Sequence, residues 1–323
     1  MAQENVDNVI MLLADGKAEM RRLMYDGFRS YGMREVRDFS NFQALEVAAS
    51  AGVPPDLIVT DTTLHGGDIF ELIGKIRTGD IGCYPFVPII LMTWNADGEV
   101  IKKAVDCGAD YILAAPFAPA DVFKRVRILI NDRKPFIVTS DYIGPDRRRD
   151  PGRGDSSIPL IDVPNTLRTK ANGEVLDLTE LSAAVNDAMS EINDQRLVRH
   201  SYQINLLVEM IVPAYGKEEV APVIRVHVQK LAAVAEEVSS RLAGSRFEHV
   251  AELCQNLSDV AASINSNWQS PNQKDIDLLK PLSQAVLTSF NPDRDSSDMA
   301  GEIAGMVSKF AGKINAEAEQ QLN

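Results

Sequence analysis

The apolar run Leu57-Ile58-Val59 ends at Thr60 and delivers a carboxylate, Asp61, to its carboxyl end. Open parallel sheets bind and react at that edge, so Asp61 stands where chemistry is expected. No nucleophile–base pair and no cluster with metal-ligand spacing stands out elsewhere, so catalytic turnover is not expected and the chain is read as a non-enzyme. Cys83, Cys107 and Cys254 are scattered and odd in number, as for reduced thiols in a cytoplasmic protein.

The elements that must position Asp61 alternate between strand and helix signals. Val9 to Ala14 reads as a buried strand and Lys17 to Tyr31 as an amphipathic helix. Arg34 to Phe39 is a strand and Phe42 to Ala51 a helix; Leu57 to Thr60 is the third strand, followed by a Gly-rich loop and a helix from Phe70 to Arg77. Pro88 to Met92, Glu99 to Cys107, Asp110 to Ala114 and Ala120 to Ile130 complete the alternation. Five such units predict an α/β doubly wound, parallel five-stranded sheet over residues 1–134.

From 135 to 172 the chain holds Pro, Gly, Asp and Arg without a sustained period, and reads as a partly extended linker. It carries a basic turn segment, IGPDRRR, beginning at Ile143. Residues 173–323 are helical in pattern and predict an all-α bundle: Leu178, Leu181, Val185, Ala188 and Ile192 recur at three- and four-residue steps. Further helices are expected over Glu218 to Leu242, Phe247 to Asn265, Asp275 to Phe290 and Asp298 to Ala318. The first long helix, Asp177 to Ile211, has a polar middle (Gln195, Arg196, Arg199, Gln203). It reads as bundle core, with a homodimer as the alternative.

The net charge of −13 argues against nucleic acid as a partner, since phosphate binding needs a basic surface. The polar, acidic start lacks a signal-peptide pattern, and no apolar run reaches membrane-spanning length, so no membrane partner is expected.

Three blocks, MLLADGKAEMRRLM, DLIVTDTTLHGGDIFELIGKIR and VPIILMT…GADYILAAPF, resemble the receiver domain of bacterial two-component response regulators over roughly the first 130 residues. The resemblance implies a flavodoxin-like fold and a phosphorylated aspartate. Asp61 matches the phosphoacceptor and Thr93 the hydroxyl that contacts the phosphoryl group. Mg2+ would be held by Asp15, Asp61 and the backbone carbonyl of Thr63. Four positions depart from the family pattern. Gly16 stands where a second acid is usual, and Trp94 where the residue after the hydroxyl is small. Ile112 occupies the place of the switching aromatic, with Tyr111 on the opposite face. Ala115 replaces the phosphoryl-binding lysine.

These departures favour a pseudo-receiver that serves as an interaction platform for a kinase or another receiver or adaptor, coupled to a helical output or dimerisation domain. The alternative is phosphorylation at Asp61 controlling the helical domain. A third reading rests on HVQKL, where His227 and Lys230 are similar to the signature of histidine phosphotransfer domains, although Leu231 replaces its glycine. GGDIF, from Gly66 to Phe70, echoes a cyclase signature without a matching domain around it.

Overall fold

Five short strands carry the first part of the chain: β1 (Ile10–Ala14), β2 (Glu35–Phe39), β3 (Leu57–Asp61), β4 (Ile89–Thr93) and β5 (Tyr111–Ala114). In the computed structural model they form one parallel sheet in the order β2-β1-β3-β4-β5. The structure describes residues 5–82, 84–148, 158–216 and 221–292, with positions 299, 301 and 303. Successive strand residues face opposite sides, so strands buried on both faces must be apolar throughout. Met11, Leu13, Val59 and Met92 accordingly pack on α1 (Ala18–Tyr31) and α5 (Pro119–Asn131) through Met24, Phe28, Val122 and Val126. Leu12, Ala14, Ile58 and Leu91 point the other way. They meet Leu45, Ile73 and Ala104 of α2 (Phe42–Ala49), α3 (Ile69–Thr78) and α4 (Gly98–Asp106). The second set of helices is started by side-chain caps, Asn41, Asp68 and Asp97, whose carboxyl or amide oxygens accept the first free N–H groups.

The chain divides into two compact units, Met1–Ile192 and Asn193–Asn323. Where the sequence suggests a linker over 135–172, the structure differs. Strands β6 (Phe136–Val138) and β7 (Ile143–Pro145) form an antiparallel pair, Phe136 bridges Ile161, and α6 (Thr166–Ala171) follows. The reason is apolar burial. Phe136, Val138, Ile143 and Ile161 enter the core of α2 to α4, and Leu167 and Ala171 enter that of α1 and α5. Gly108 lies at φ +86°, and a Cβ there would collide with the Ile143 carbonyl, so the hairpin lies directly against the loop before β5. Arg149 and the basic residues up to Arg153 lie outside the described residues.

Helix α7 (Leu178–Tyr215) also runs across the expected domain plan. Val185, Ala188 and Ile192 belong to the first unit's core, so the boundary between units falls inside this helix rather than at residue 173. In the second unit the remainder of α7 packs with α8 (Val223–Arg241), α9 (Ala251–Ser266) and α10 (Gln273–Phe290). Leu197, Ile204, Val208 and Ile211 meet Val228, Leu231, Leu257, Leu279 and Phe290 at helical spacing. Within the polar middle of α7, Arg196 contacts Glu237 at 2.7 Å, and just before it Asn193 donates to the Arg241 carbonyl at 3.0 Å. Among the described residues no helix is long and apolar enough to cross a membrane. The helix expected over Asp298 to Ala318 lies almost wholly outside them.

Candidate functional site

Parallel register brings the candidate residues side by side. Ala14 pairs with Thr60, Asp61 with Met92, and Thr93 with Ala114, so Asp15, Asp61, Thr93 and Ala115 share the carboxyl edge of the sheet. Asp15, Asp61 and Thr93 are buried. Asp61 is held by its own loop: Oδ2 accepts from the Thr63 hydroxyl at 2.8 Å and Oδ1 from the Thr63 N–H at 3.3 Å. Asp15 Oδ1 accepts the Lys17 N–H at 2.7 Å, whereas its Oδ2 is buried without a hydrogen-bond partner. Burial raises the Asp15 carboxyl above the usual carboxylate range, and the neighbouring Asp61 adds to the rise, against the Lys17 N–H bond and the charges of Lys17 and Arg21. Arg21 donates to the Asp15 carbonyl at 2.8 Å and to Asp38 at 3.0 Å.

Thr93 Oγ1 accepts from the Thr62 hydroxyl at 3.0 Å and donates to the Asn95 carbonyl at 2.9 Å. The hydroxyl is therefore oriented at the mouth of the Asp61 loop. Ala115 donates its N–H to the Thr93 carbonyl at 2.8 Å and brings no charge. At Gly16 an added Cβ would meet nothing within 4 Å, so the absence of a second acid is not imposed by space. Ile112 packs on one face of the edge strand and Tyr111 on the other, under Arg125 at 5.1 Å. Trp94 is 42% exposed; its ring lies 5.7 Å from that of Phe117, and Lys17 Nζ sits 4.3 Å from the indole centroid.

The donor set suits a hard divalent ion in reduced form. Magnesium is commonly held by one or two carboxylates with the remaining positions filled by water and phosphate, and the unpartnered Asp15 Oδ2 beside Asp61 is such a donor.

Sequence reasoning missed a second carboxylate cluster, at the amino edge of the same sheet. Asp110 accepts from the Ile89 N–H at 2.9 Å, from Arg77 at 3.0 Å and from Arg133 at 2.8 Å. Arg77 also donates to the carbonyls of Gly108, Pro85 and Val87, and Arg133 to that of Phe86. Burial lowers the Arg77 guanidinium to about 10, with Asp110 pulling the other way, so it stays charged at neutral pH. Asp56 Oδ2 accepts the Ile10 N–H at 2.7 Å and Lys170 Nζ at 2.6 Å. An arginine in the apolar sequence of α3 was the available signal.

In the second unit, His227 lies half-buried on α8, next to the core residues Val228 and Leu231, and burial lowers its ring below the ordinary histidine value. His200 is buried, 3.6 Å from Glu237, and burial lowers it likewise.

Residues 11–127 match the family model described as a response regulator receiver domain. This segment is a response regulator receiver domain. The receiver has relatives that extend past it. The transcriptional regulatory protein BaeR of Escherichia coli is 23% identical over 197 residues, 59% of this chain and 74% of that protein. The DNA-binding response regulator MtrA of Mycobacterium tuberculosis is 26% identical over 229 residues, 70% of this chain and 88% of that protein. Among solved structures, the chemotaxis response regulator CheY4 of Vibrio cholerae is 24% identical, covering 37% of this chain and 96% of that one with a TM-score of 0.33. These relatives overturn the expectation of no nucleic-acid partner, since MtrA is by name DNA-binding. The physical error lay in the charge argument: a net charge is a sum over the chain, and a basic face can exist on an acidic protein.

Proposed function

We propose that this chain is a response-regulator signalling protein whose receiver takes a phosphoryl group on Asp61 from a partner kinase and whose helical unit carries the output. The observation that carries this reading is the buried Asp15–Asp61 pair, in which one Asp15 oxygen lacks any protein partner. An unpartnered buried carboxylate oxygen is costly unless a cation meets it. Mg2+ held by Asp15, Asp61 and the Thr63 carbonyl would neutralise the charge of a bound phosphoryl group. One Asp61 oxygen attacks phosphorus, the bond from phosphorus to the donor's nitrogen or acyl oxygen breaks, and the electron pair leaves with the donor. Thr93 would donate to a phosphoryl oxygen by turning its hydroxyl proton away from the Asn95 carbonyl. The protein acts as an acceptor and turns over no substrate.

Intact-protein mass after incubation with Mg2+ and acetyl phosphate tests this. One phosphoryl adduct in the wild type and none in Asp61→Ala is the expected result. No adduct on the wild type, with a conventional receiver labelled alongside, would return the receiver to the second reading. That reading, a pseudo-receiver used as a binding platform, is favoured by Ala115 and Gly16. DNA enters as an output target through the alignment with MtrA, whose 229 residues exceed the 117 of the receiver match. A mobility-shift titration at two salt concentrations measures it, since phosphate contacts weaken with salt.

A further inference from the structure

Ala115 leaves the receiver without the ammonium that would face a phosphoryl group from the loop after β5. The cation present at this edge comes from the opposite side. Lys17 begins α1, and its N–H is tied to Asp15 Oδ1 at 2.7 Å, so one of the site's own carboxylates fixes where its side chain starts. Its ammonium lies 4.3 Å from the Trp94 centroid, and Trp94 in turn packs on Phe117. The stack joins the loops after β1, β4 and β5, while Asp61 closes β3, which lies between β1 and β4. Lys17 is also close enough to Asp15 for its charge to lower that carboxyl, against the rise that burial causes.

The neighbouring cations are committed elsewhere. Arg21 is bonded to Asp38 and to the Asp15 carbonyl, and Lys124 pairs with Asp121 at 3.2 Å on α5. Lys17 by contrast is exposed, on a flexible four-carbon stem, and its contact with the indole is of the weak, solvent-exposed kind. A phosphoryl group on Asp61 carries more negative charge than an indole face.

We propose that Lys17 is the phosphoryl-contact ammonium of this receiver, held in reserve over Trp94 and replacing across the pocket the lysine that Ala115 lacks. The inference rests on the phosphoacceptor reading of Asp61. It assigns Trp94 a role as well: the indole parks the ammonium within reach of the acidic pair and releases it when Asp61 becomes phosphorylated. The bond made and the bond broken at phosphorus are those already given; Lys17 keeps its proton and contributes charge to the transferred group.

The test uses the full chain with Mg2+ and acetyl phosphate, read by intact mass, in wild type, Lys17→Met, Lys17→Arg and the double variant Lys17→Met, Ala115→Lys. Loss of one charge-stabilising donor should slow labelling at least about 10-fold in Lys17→Met. Lys17→Arg should retain part of the rate, and the double variant should regain it, which a merely structural lysine would not produce. A second readout is Trp94 emission in a Trp268→Phe background. It should change on phosphodonor addition when Lys17 is present and stay unchanged in Lys17→Met. A wild type that labels while Lys17→Met labels equally fast overturns the inference and leaves the phosphoacceptor reading intact. A double variant that stays as slow as Lys17→Met overturns it in favour of a positioning role. A wild type that does not label at all removes the phosphoacceptor reading, and this inference with it.

Discussion

The two edges of one sheet treat the same residue type in opposite ways. At the amino edge, Asp110 is buried with two arginines and a strand N–H upon it, and Asp56 carries Lys170 and a strand N–H on one oxygen. At the carboxyl edge, Asp15 and Asp61 are equally buried, yet their hydrogen bonds come from neighbouring loop groups, and one Asp15 oxygen has none. The first arrangement pairs each carboxylate with a cation, although one Asp56 oxygen is also buried without a hydrogen bond, and it holds strands in register. The second leaves charge to be met from outside, as a site must if it is to gain something by binding.

The sharpest way to break this contrast is at Asp110. Asp110→Ala leaves Arg77 and Arg133 buried without their counter-charge and should cost about 3–5 kcal/mol, read as a shift in urea midpoint. A near-neutral result would mean that the arginines are satisfied by carbonyls alone. Next in size is Gly108→Ala. It drives a methyl group into the Ile143 carbonyl from a backbone conformation that L-residues rarely adopt, for a loss of about 1–3 kcal/mol. An unchanged melting curve would show that the hairpin is not held against this loop in solution.

At the other edge the sign reverses. Asp15→Asn should stabilise the receiver at neutral pH in the absence of divalent ions, by less than Asp110→Ala costs. The Asp15 carboxyl is raised in the folded state, so the folded protein binds its proton more tightly than the unfolded chain does. Its stability is full below the unfolded value of 3.8 and declines as pH climbs through the folded value. Melts at pH 4 and pH 7 should therefore show a wider gap between variant and wild type at pH 7; equal gaps would remove the argument. The smallest stability effect is expected from Gly16→Asp, which has room and adds a third carboxylate. It should tighten Mg2+ affinity about 10-fold by calorimetry, since affinity follows ligand charge. No tightening would mean that position 16 does not face the ion.

The carboxyl edge was largely legible in the sequence, because short apolar strands end in polar residues and parallel order brings those ends together. Asp15, Asp61, Thr93 and Ala115 needed only the strand boundaries. Lys17 over Trp94 was not legible, since it joins loops 77 residues apart and an exposed lysine carries no periodic signal. The amino edge was hidden for a related reason. Its partners Arg77, Asp110, Arg133 and Lys170 are single charges spread over the chain, and nothing local marks them as a cluster. Residues 135–172 misled because Phe136, Ile143, Ile161 and Leu167 are isolated between prolines and glycines. Their burial is a property of the packed unit, whereas the turns around them are visible one residue at a time.

The hairpin and helix beyond β5 have a consequence for how this receiver can be exchanged. A response regulator is often thought of as a cassette that can be cut after its last helix and joined to another output. Here such a cut at residue 134 would strip Phe136, Ile143, Ile161, Leu167 and Lys170 from their places and leave Phe86, Tyr84 and Asp56 facing water. A transplantable piece must carry its own clasp, up to the turn of α7 that ends at Ile192.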